Sequence, residues 1–220
     1  MSLTRDLLPI IGWGFFLFMK NVNFYIDGFN IYHSIDKMNN NTLKWINYKL
    51  LCQKILKDDE QINNIFYFSA YATWKQTSYL KHRVFIRALI NEGINIVLGN
   101  FKKKTKYIHN IKYNYEYHEE KETDVNIAIN LVRDACRNNC DKAVILSGDS
   151  DLVPAISMAK AENPKLEIVI VIPPNVKAES LKEKADYTLK LSNFKLEDFL
   201  FPKEITLKNN QKIICPMDWQ

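Results

Sequence analysis

Short apolar runs recur along the chain, and between them apolar positions fall at helical spacing. Residues 22–26, 65–71, 94–98, 143–146, 166–172 and 187–191 read as strands. They are continuous runs rather than alternations, the pattern of strands covered on both faces. Residues 29–35, 43–56, 78–91, 123–138, 152–161 and 176–184 read as helices. The 43–56 segment has Trp45, Ile46, Leu50, Leu51 and Ile55 at amphipathic spacing. Three consecutive Asn residues, 39–41, separate the first two helices, Gly93 stops the third, and Pro173-Pro174 ends a strand. Strand and helix alternate throughout. The pattern predicts an α/β fold, three-layer and Rossmann-like, with a mainly parallel central sheet.

Two segments break the pattern. Residues 101–118 interleave Lys and Tyr without helical period, which predicts a hairpin or extended basic insertion. Residues 194–220 are irregular and are expected to pack along the domain formed by residues 19–193. Ahead of that domain, residues 7–19 read LLPIIGWGFFLFM. A transmembrane helix needs about twenty apolar residues, and Pro9, Gly12 and Gly14 interrupt this shorter run, so no stable membrane insertion is expected. The preferred reading of residues 1–18 is an extension or upstream start ahead of a natural beginning at Met19. A membrane-associating or partner-binding segment and a signal peptide are the alternatives, and a second copy of the chain (a homodimer) is one candidate to cover it.

Composition changes the picture little. The 220 residues are 47% hydrophobic and 25% charged, an ordinary globular balance for one domain. Four Cys are too few for a disulfide scaffold and lie outside zinc spacing; Cys136 and Cys140, on the same predicted helix, are the nearest to a metal pair. Reduced thiols suit a cytoplasmic protein. A net charge of +5 permits an anionic partner without requiring one. There is no GxxxxGK[ST], no GxGxxG after the first strand and no GxSxG, which argues against P-loop, dinucleotide and esterase chemistry.

The chemistry sits at strand ends. In open α/β sheets, ligands bind beyond the carboxyl ends of the strands, where the strand order reverses. The first strand delivers Asp27, with Asn30 a helical turn on; VILSGDSD delivers Asp149 and Asp151; Asp124 opens the helix after the insertion. Each acid also has a plain structural use as a turn residue or helix cap. Carboxylates aimed at one sheet edge repel, and a divalent cation relieves the repulsion. Hard oxygen ligands suit Mg²⁺ or Mn²⁺.

In this order, NFYIDGFNIYHS, KETDVNIAINLVRDA and AVILSGDSDLVPAI resemble the NYN domain of the PIN-like nuclease superfamily, in its LabA-like branch. The ending IICPMDW is similar to the tail of that branch. The resemblance implies a Rossmann-like domain with an acidic metal pocket and ribonuclease activity. It assigns catalysis to Asp27, Asn30, Asp124, Asp149 and Asp151, the four acids also holding the metal, with Ser147 orienting a ligand. Position 130 is Asn, where many relatives carry an acid.

On the substrate side, Lys102, Lys103, Lys104, Lys106, Tyr107 and Lys112 are candidate nucleic-acid contacts, and Ser147 is grouped with them. Lys neutralises phosphate and Tyr stacks on unpaired bases; a solvated edge hairpin guarded by lysines is the equal alternative. Lys75, Lys81, His82, Arg83 and Arg87 form a second basic cluster, and Tyr71, Trp74 and Tyr79 are either a stacking platform or packing. The expected function is a metal-dependent ribonuclease acting on single-stranded or structured RNA. The alternatives are a non-catalytic RNA-binding or regulatory protein and a small-nucleotide phosphohydrolase.

Overall fold

A computed structural model describes residues 19–220. Expectations for residues 1–18, including burial against a second chain, lie outside the described residues. Six strands form one sheet: β1 (Lys20–Asp27), β2 (Glu60–Ser69), β3 (Asn95–Leu98), β6 (Lys142–Leu146), β7 (Glu167–Ile172) and β8 (Tyr187–Lys190), in the order β3-β2-β1-β6-β7-β8. Every neighbouring pair is parallel. A separate antiparallel hairpin joins β4 (Asn100–Ile108) to β5 (Tyr113–Lys121).

The period of two along β1 divides the core. Val22, Phe24 and Ile26 face one layer, with buried residues of α1 (Gly28–Asp36), α2 (Tyr48–Ile55) and α3 (Gln76–Asn91). Tyr25 faces the other, with Ile127 and Leu131 of α4 (Thr123–Cys136), Ile156 of α5 (Val153–Glu162) and Leu181 of α6 (Glu179–Lys182). Helices on both faces explain why the strands read as unbroken apolar runs. The chain runs outward from β1 through β2 and β3, then returns to β6 on the other side of β1. The carboxyl ends of β1 and β6 therefore flank the point where the order reverses.

Besides the shortening of the helix read over 176–184 to Glu179–Lys182, the structure departs from the sequence reading in four places. The single helix expected over 43–56 is two pieces: a 3-10 turn, Asn41–Trp45, then α2. Ile46 and Asn47 are extended between them. Asn47 caps α2, its side-chain oxygen accepting the Lys49 and Leu50 amides at 3.0 and 3.3 Å. Strand β2 starts at Glu60, five residues before the apolar run, because its first half pairs through polar residues with the start of β1. Helix α4 ends at Cys136, so Cys140 is not on it; Cys136 is exposed and Cys140 buried. The C-terminal segment does more than lie along the surface. It contains a small hairpin, β9 (Glu204–Thr206) and β10 (Lys212–Ile214). Leu196, Phe201, Ile205, Ile213, Cys215 and Trp219 are buried in the core layer of α1 to α3. The Asn47 and Phe201 amides donate to Phe199 and Trp45 carbonyls at 2.7 and 3.0 Å, joining the tail to the break before α2.

At the opposite end of the sheet, Lys142 is fully buried and donates to Glu60 at 2.8 Å and to the Tyr187 hydroxyl at 2.5 Å. Asp134 is buried as well, accepting from Tyr25 at 2.7 Å and Asn23 at 3.1 Å. Buried charges need such partners, and these groups hold the sheet together far from its carboxyl edge.

Candidate active site

The carboxyl ends of β1 and β6 are tied by one chain of hydrogen bonds. Asp27 caps α1, with Oδ1 accepting the Asn30 amide at 3.0 Å. Its Oδ2 accepts the Ser147 hydroxyl at 2.8 Å. Ser147 Oγ accepts the Asp149 amide at 3.1 Å, and Asp149 Oδ1 accepts the Asp151 amide at 2.9 Å. Asn30 closes the loop, its Oδ1 accepting the Gly148 amide at 3.0 Å. The residues that cap the helices are thus the same ones that face the site. Gly28 lets α1 start this close to the sheet: a Cβ there would lie 2.7 Å from the Phe68 carbonyl oxygen and 2.5 Å from the Tyr67 ring.

Asp27, Asn30, Asp124 and Asp149 line one pocket of about 240 Å³, together with Phe29, His33, Ser34, Lys37, Glu120 and Val176. Three of the four expected acids are therefore brought together. Asp151 is exposed and outside the lining, with its carboxylate near enough to act on Asp124 through its charge. Asn130 is not in the pocket either; its side-chain amide donates to the Asn126 carbonyl at 2.8 Å, within its own helix.

The electrostatics follow from burial. Asp27 is 3% exposed. Loss of hydration pushes its carboxyl up to about 7, with the charges of Asp124 and Asp149 adding to the rise and the two hydrogen bonds opposing it. Asp124 is raised to about 6, first by burial, then by Asp149, Glu120 and Asp151. An all-oxygen donor set under mutual repulsion is the chemistry that a hard divalent cation fits. Among the described residues, no three His, Cys, Asp or Glu side chains are already gathered closely enough to hold a metal ion.

The hairpin contributes in a way the sequence reading did not anticipate. Register pairs Phe101 with Glu120 and Lys103 with His118, so these four share one face. Glu120 lines the acid pocket, while Phe101 and His118 line a larger cavity beside it. By the same pleat, Lys102, Lys104 and Lys106 take the other face. Lys103 pairs with Glu116 at 2.8 Å, and Lys104 pairs with Glu119. Tyr107 and Lys112 lie near the hairpin's tip, Lys112 in the left-handed region at φ 47°. Ser147 is fully buried, with its hydroxyl committed to Asp27. It positions the acid and has no open surface for a nucleic acid.

Sequence reasoning missed Glu120, Lys37 and His33. Glu120 carries a visible signal: it stands three residues before Thr123, whose amide donates to its carboxylate at 3.1 Å. Lys37 and His33 reach the pocket only through the position of α1, which no motif announces.

Comparison with known proteins agrees with this architecture. The chain is similar to a crystallised protein of unknown function from Vibrio parahaemolyticus, with a TM-score of 0.55, 15% identity and coverage of 84% of this chain and 98% of that one. At that identity the likeness concerns the fold. A 55-residue stretch is 38% identical to 6-hydroxy-3-succinoylpyridine 3-monooxygenase HspA of Pseudomonas putida, covering 25% of this chain and 17% of that protein. The NYN domain model matches residues 21–192, from the first strand to the turn after the last strand of the sheet. A match over that much of the sequence shows the family: the chain belongs to the NYN domain family.

Proposed function

We propose that the chain is a metal-dependent ribonuclease of the LabA-like branch of the PIN-like superfamily, hydrolysing RNA phosphodiesters at the acid pocket. The observation that carries the reading is the convergence of Asp27, Asp124 and Asp149 on one small pocket where the strand order reverses. Asp27, Asp124 and Asp149 would hold Mg²⁺ or Mn²⁺, with Asp151 at the rim. Such a cation supplies a water of lowered pKa and offsets charge on the phosphate. The chain's own residues do the positioning. Asn30 and Ser147 fix both oxygens of Asp27, and Asn30 fixes the loop that carries Asp149. Lys37 and His33, on the pocket wall, face the phosphate. Free cysteines at 52, 136, 140 and 215 are in keeping with a reducing, cytoplasmic setting. Among the described residues, no helix is long and apolar enough to cross a membrane.

A second reading, RNA binding without cleavage, draws on one observation: the acids are not gathered into a finished ligand set. The likeness to the Pseudomonas monooxygenase covers 17% of that protein's length, too short a stretch to carry an activity across. End-labelled RNA incubated with Mn²⁺, and separately with EDTA, decides between cleavage and binding. Cleavage by the wild type that disappears in EDTA and in Asp149→Asn supports the nuclease. Tight binding with no cleavage in any cation supports the second reading, and equal cleavage by Asp149→Asn refutes the pocket's role.

A further inference from the structure

Beside the acid pocket lies a larger cavity of about 550 Å³, which shares Phe29 and His33 with it as common walls. The volume falls within the range of small-molecule sites. The cavity is bounded by α1, the 3-10 turn before α2, the loop after β2, the start of α3, the base of the hairpin and the C-terminal end of the chain. Its wall is a connected set of rings. Trp74 stacks on His118 with centroids 3.7 Å apart and planes 8° from parallel. Phe101 meets Trp74 edge-on at 4.6 Å and Phe29 edge-on at 5.3 Å. Trp74 is 38% exposed and Tyr32 is 40% exposed, so part of each ring stays open to solvent although His118 covers one Trp74 face and the Lys44 ammonium lies over the Tyr32 ring.

The cavity is not wholly apolar. Ser69 and His82 lie within its lining, the Ser69 hydroxyl 3.3 Å from His82 Nε2. Burial lowers His82 to about 4, leaving a neutral ring that has both a donor and an acceptor nitrogen. Three lysines, Lys44, Lys75 and Lys81, also line the cavity. Lys44 is held by Asp36 and Lys81 by Asp218, and Lys75 makes no ion pair among the described residues. Stacking surface, a few hydrogen-bonding groups and one lysine free of an acid partner among the described residues, Lys75, together match a flat heteroaromatic ring carried on an anionic chain.

We propose that this cavity is a nucleobase site, taking an unpaired base of an RNA strand whose neighbouring phosphate lies at the acid pocket. The inference rests on the ribonuclease reading for the choice of an RNA strand and deepens it: it makes single-stranded RNA the preferred substrate. A base inside a duplex cannot enter a walled cavity without leaving its stack. It also assigns the sequence's Trp74 and Lys75 to substrate contact, and gives Phe101 and His118 a reason to sit at the hairpin's base.

The test measures fluorescence anisotropy of a labelled hexauridylate, with every protein in the Asp149→Asn background so that bound RNA stays intact. Adding Trp74→Ala is expected to weaken binding about 10- to 100-fold, the effect of losing one stacked base. Trp74→Phe restores most of the affinity, which separates stacking from structural damage. The loss is the same at low and high salt, because stacking displaces no counterions. A hexamer of abasic nucleotides binds weakly, and Trp74→Ala weakens it no further. Equal affinity of the Trp74→Ala and parent proteins for hexauridylate overturns the assignment, as does equal affinity of the parent for normal and abasic strands. The two readings fail separately. Trp74-dependent binding by a chain that cuts no RNA keeps the base site and removes the nuclease. Cleavage by a chain whose binding ignores Trp74 does the reverse.

Discussion

Replacing Asp27 by Asn tests whether the end of β1 stores an electrostatic cost. In the fold, burial and two neighbouring acids raise this carboxyl from an ordinary value of 3.8 to about 7. In the unfolded chain it ionises near its ordinary value. Above about pH 7 the folded state must therefore carry a buried charge that the unfolded state hydrates freely. At about 1.4 kcal/mol per tenfold, the gap costs the fold about 4 kcal/mol. The cost is complete above the folded value, shrinks as pH falls, and is gone below the unfolded value near 4. Asn removes the charge and keeps the shape, and loses one acceptor toward Ser147 or Asn30, worth about 1 kcal/mol. The variant is expected to be more stable than wild type at pH 8 in EDTA by roughly 3 kcal/mol. For a chain of this length that is roughly 6–12 °C in Tm. By pH 4 the advantage is gone. Adding Mn²⁺ at pH 8 raises the wild-type Tm and leaves the variant unchanged. Thermal melts at pH 4, 6 and 8, with and without Mn²⁺, read all of this. A difference that does not vary with pH would refute the reasoning, as would a variant that melts below wild type at pH 8.

Three further outcomes follow from the same geometry. Gly28→Ala drives a methyl into the Phe68 carbonyl and the Tyr67 ring, so urea denaturation should show a loss of about 1–3 kcal/mol, with RNA cleavage reduced because α1 carries Asn30 and shifts. Asn30→Ala leaves the Gly148 amide without its acceptor; a stability loss of about 1–3 kcal/mol is expected, and a single-turnover assay should show cleavage falling while RNA affinity holds. Lys142→Met leaves the buried Glu60 carboxylate without its ammonium partner, so denaturant melts should show a loss of about 3–5 kcal/mol. Cleavage by the fraction still folded should be unchanged, since this cluster lies at the far edge of the sheet.

The parallel sheet was legible because its strands are apolar on both faces, and the acids were legible because SGDSD and TDV stand at strand and helix ends. What the sequence hid has identifiable causes. Apolar periodicity runs straight through Ile46 and Asn47, so the break before α2 is invisible until the C-terminal tail pairs with it. Phe201 closes a three-residue apolar run and Trp219 follows Met217 by two, and neither stretch is long enough to show a period that marks it as core. The lysines of the hairpin are conspicuous by number, yet the pleat turns Lys102, Lys104 and Lys106 to the face opposite Phe101, His118 and Glu120. Register, which composition does not report, decides which side chains meet the site.

The most direct test of the central claim is a sulfur substitution at the RNA phosphates. Mg²⁺ prefers oxygen ligands, and Mn²⁺ accepts softer ones more readily. The account predicts that RNA with phosphorothioate linkages is cut slowly in Mg²⁺, that Mn²⁺ restores the rate, and that Asp149→Asn is inactive in both. Sulfur-substituted RNA cut equally fast in Mg²⁺ and Mn²⁺, or cut at all in EDTA, would contradict a cation held by these carboxylates against the scissile phosphate.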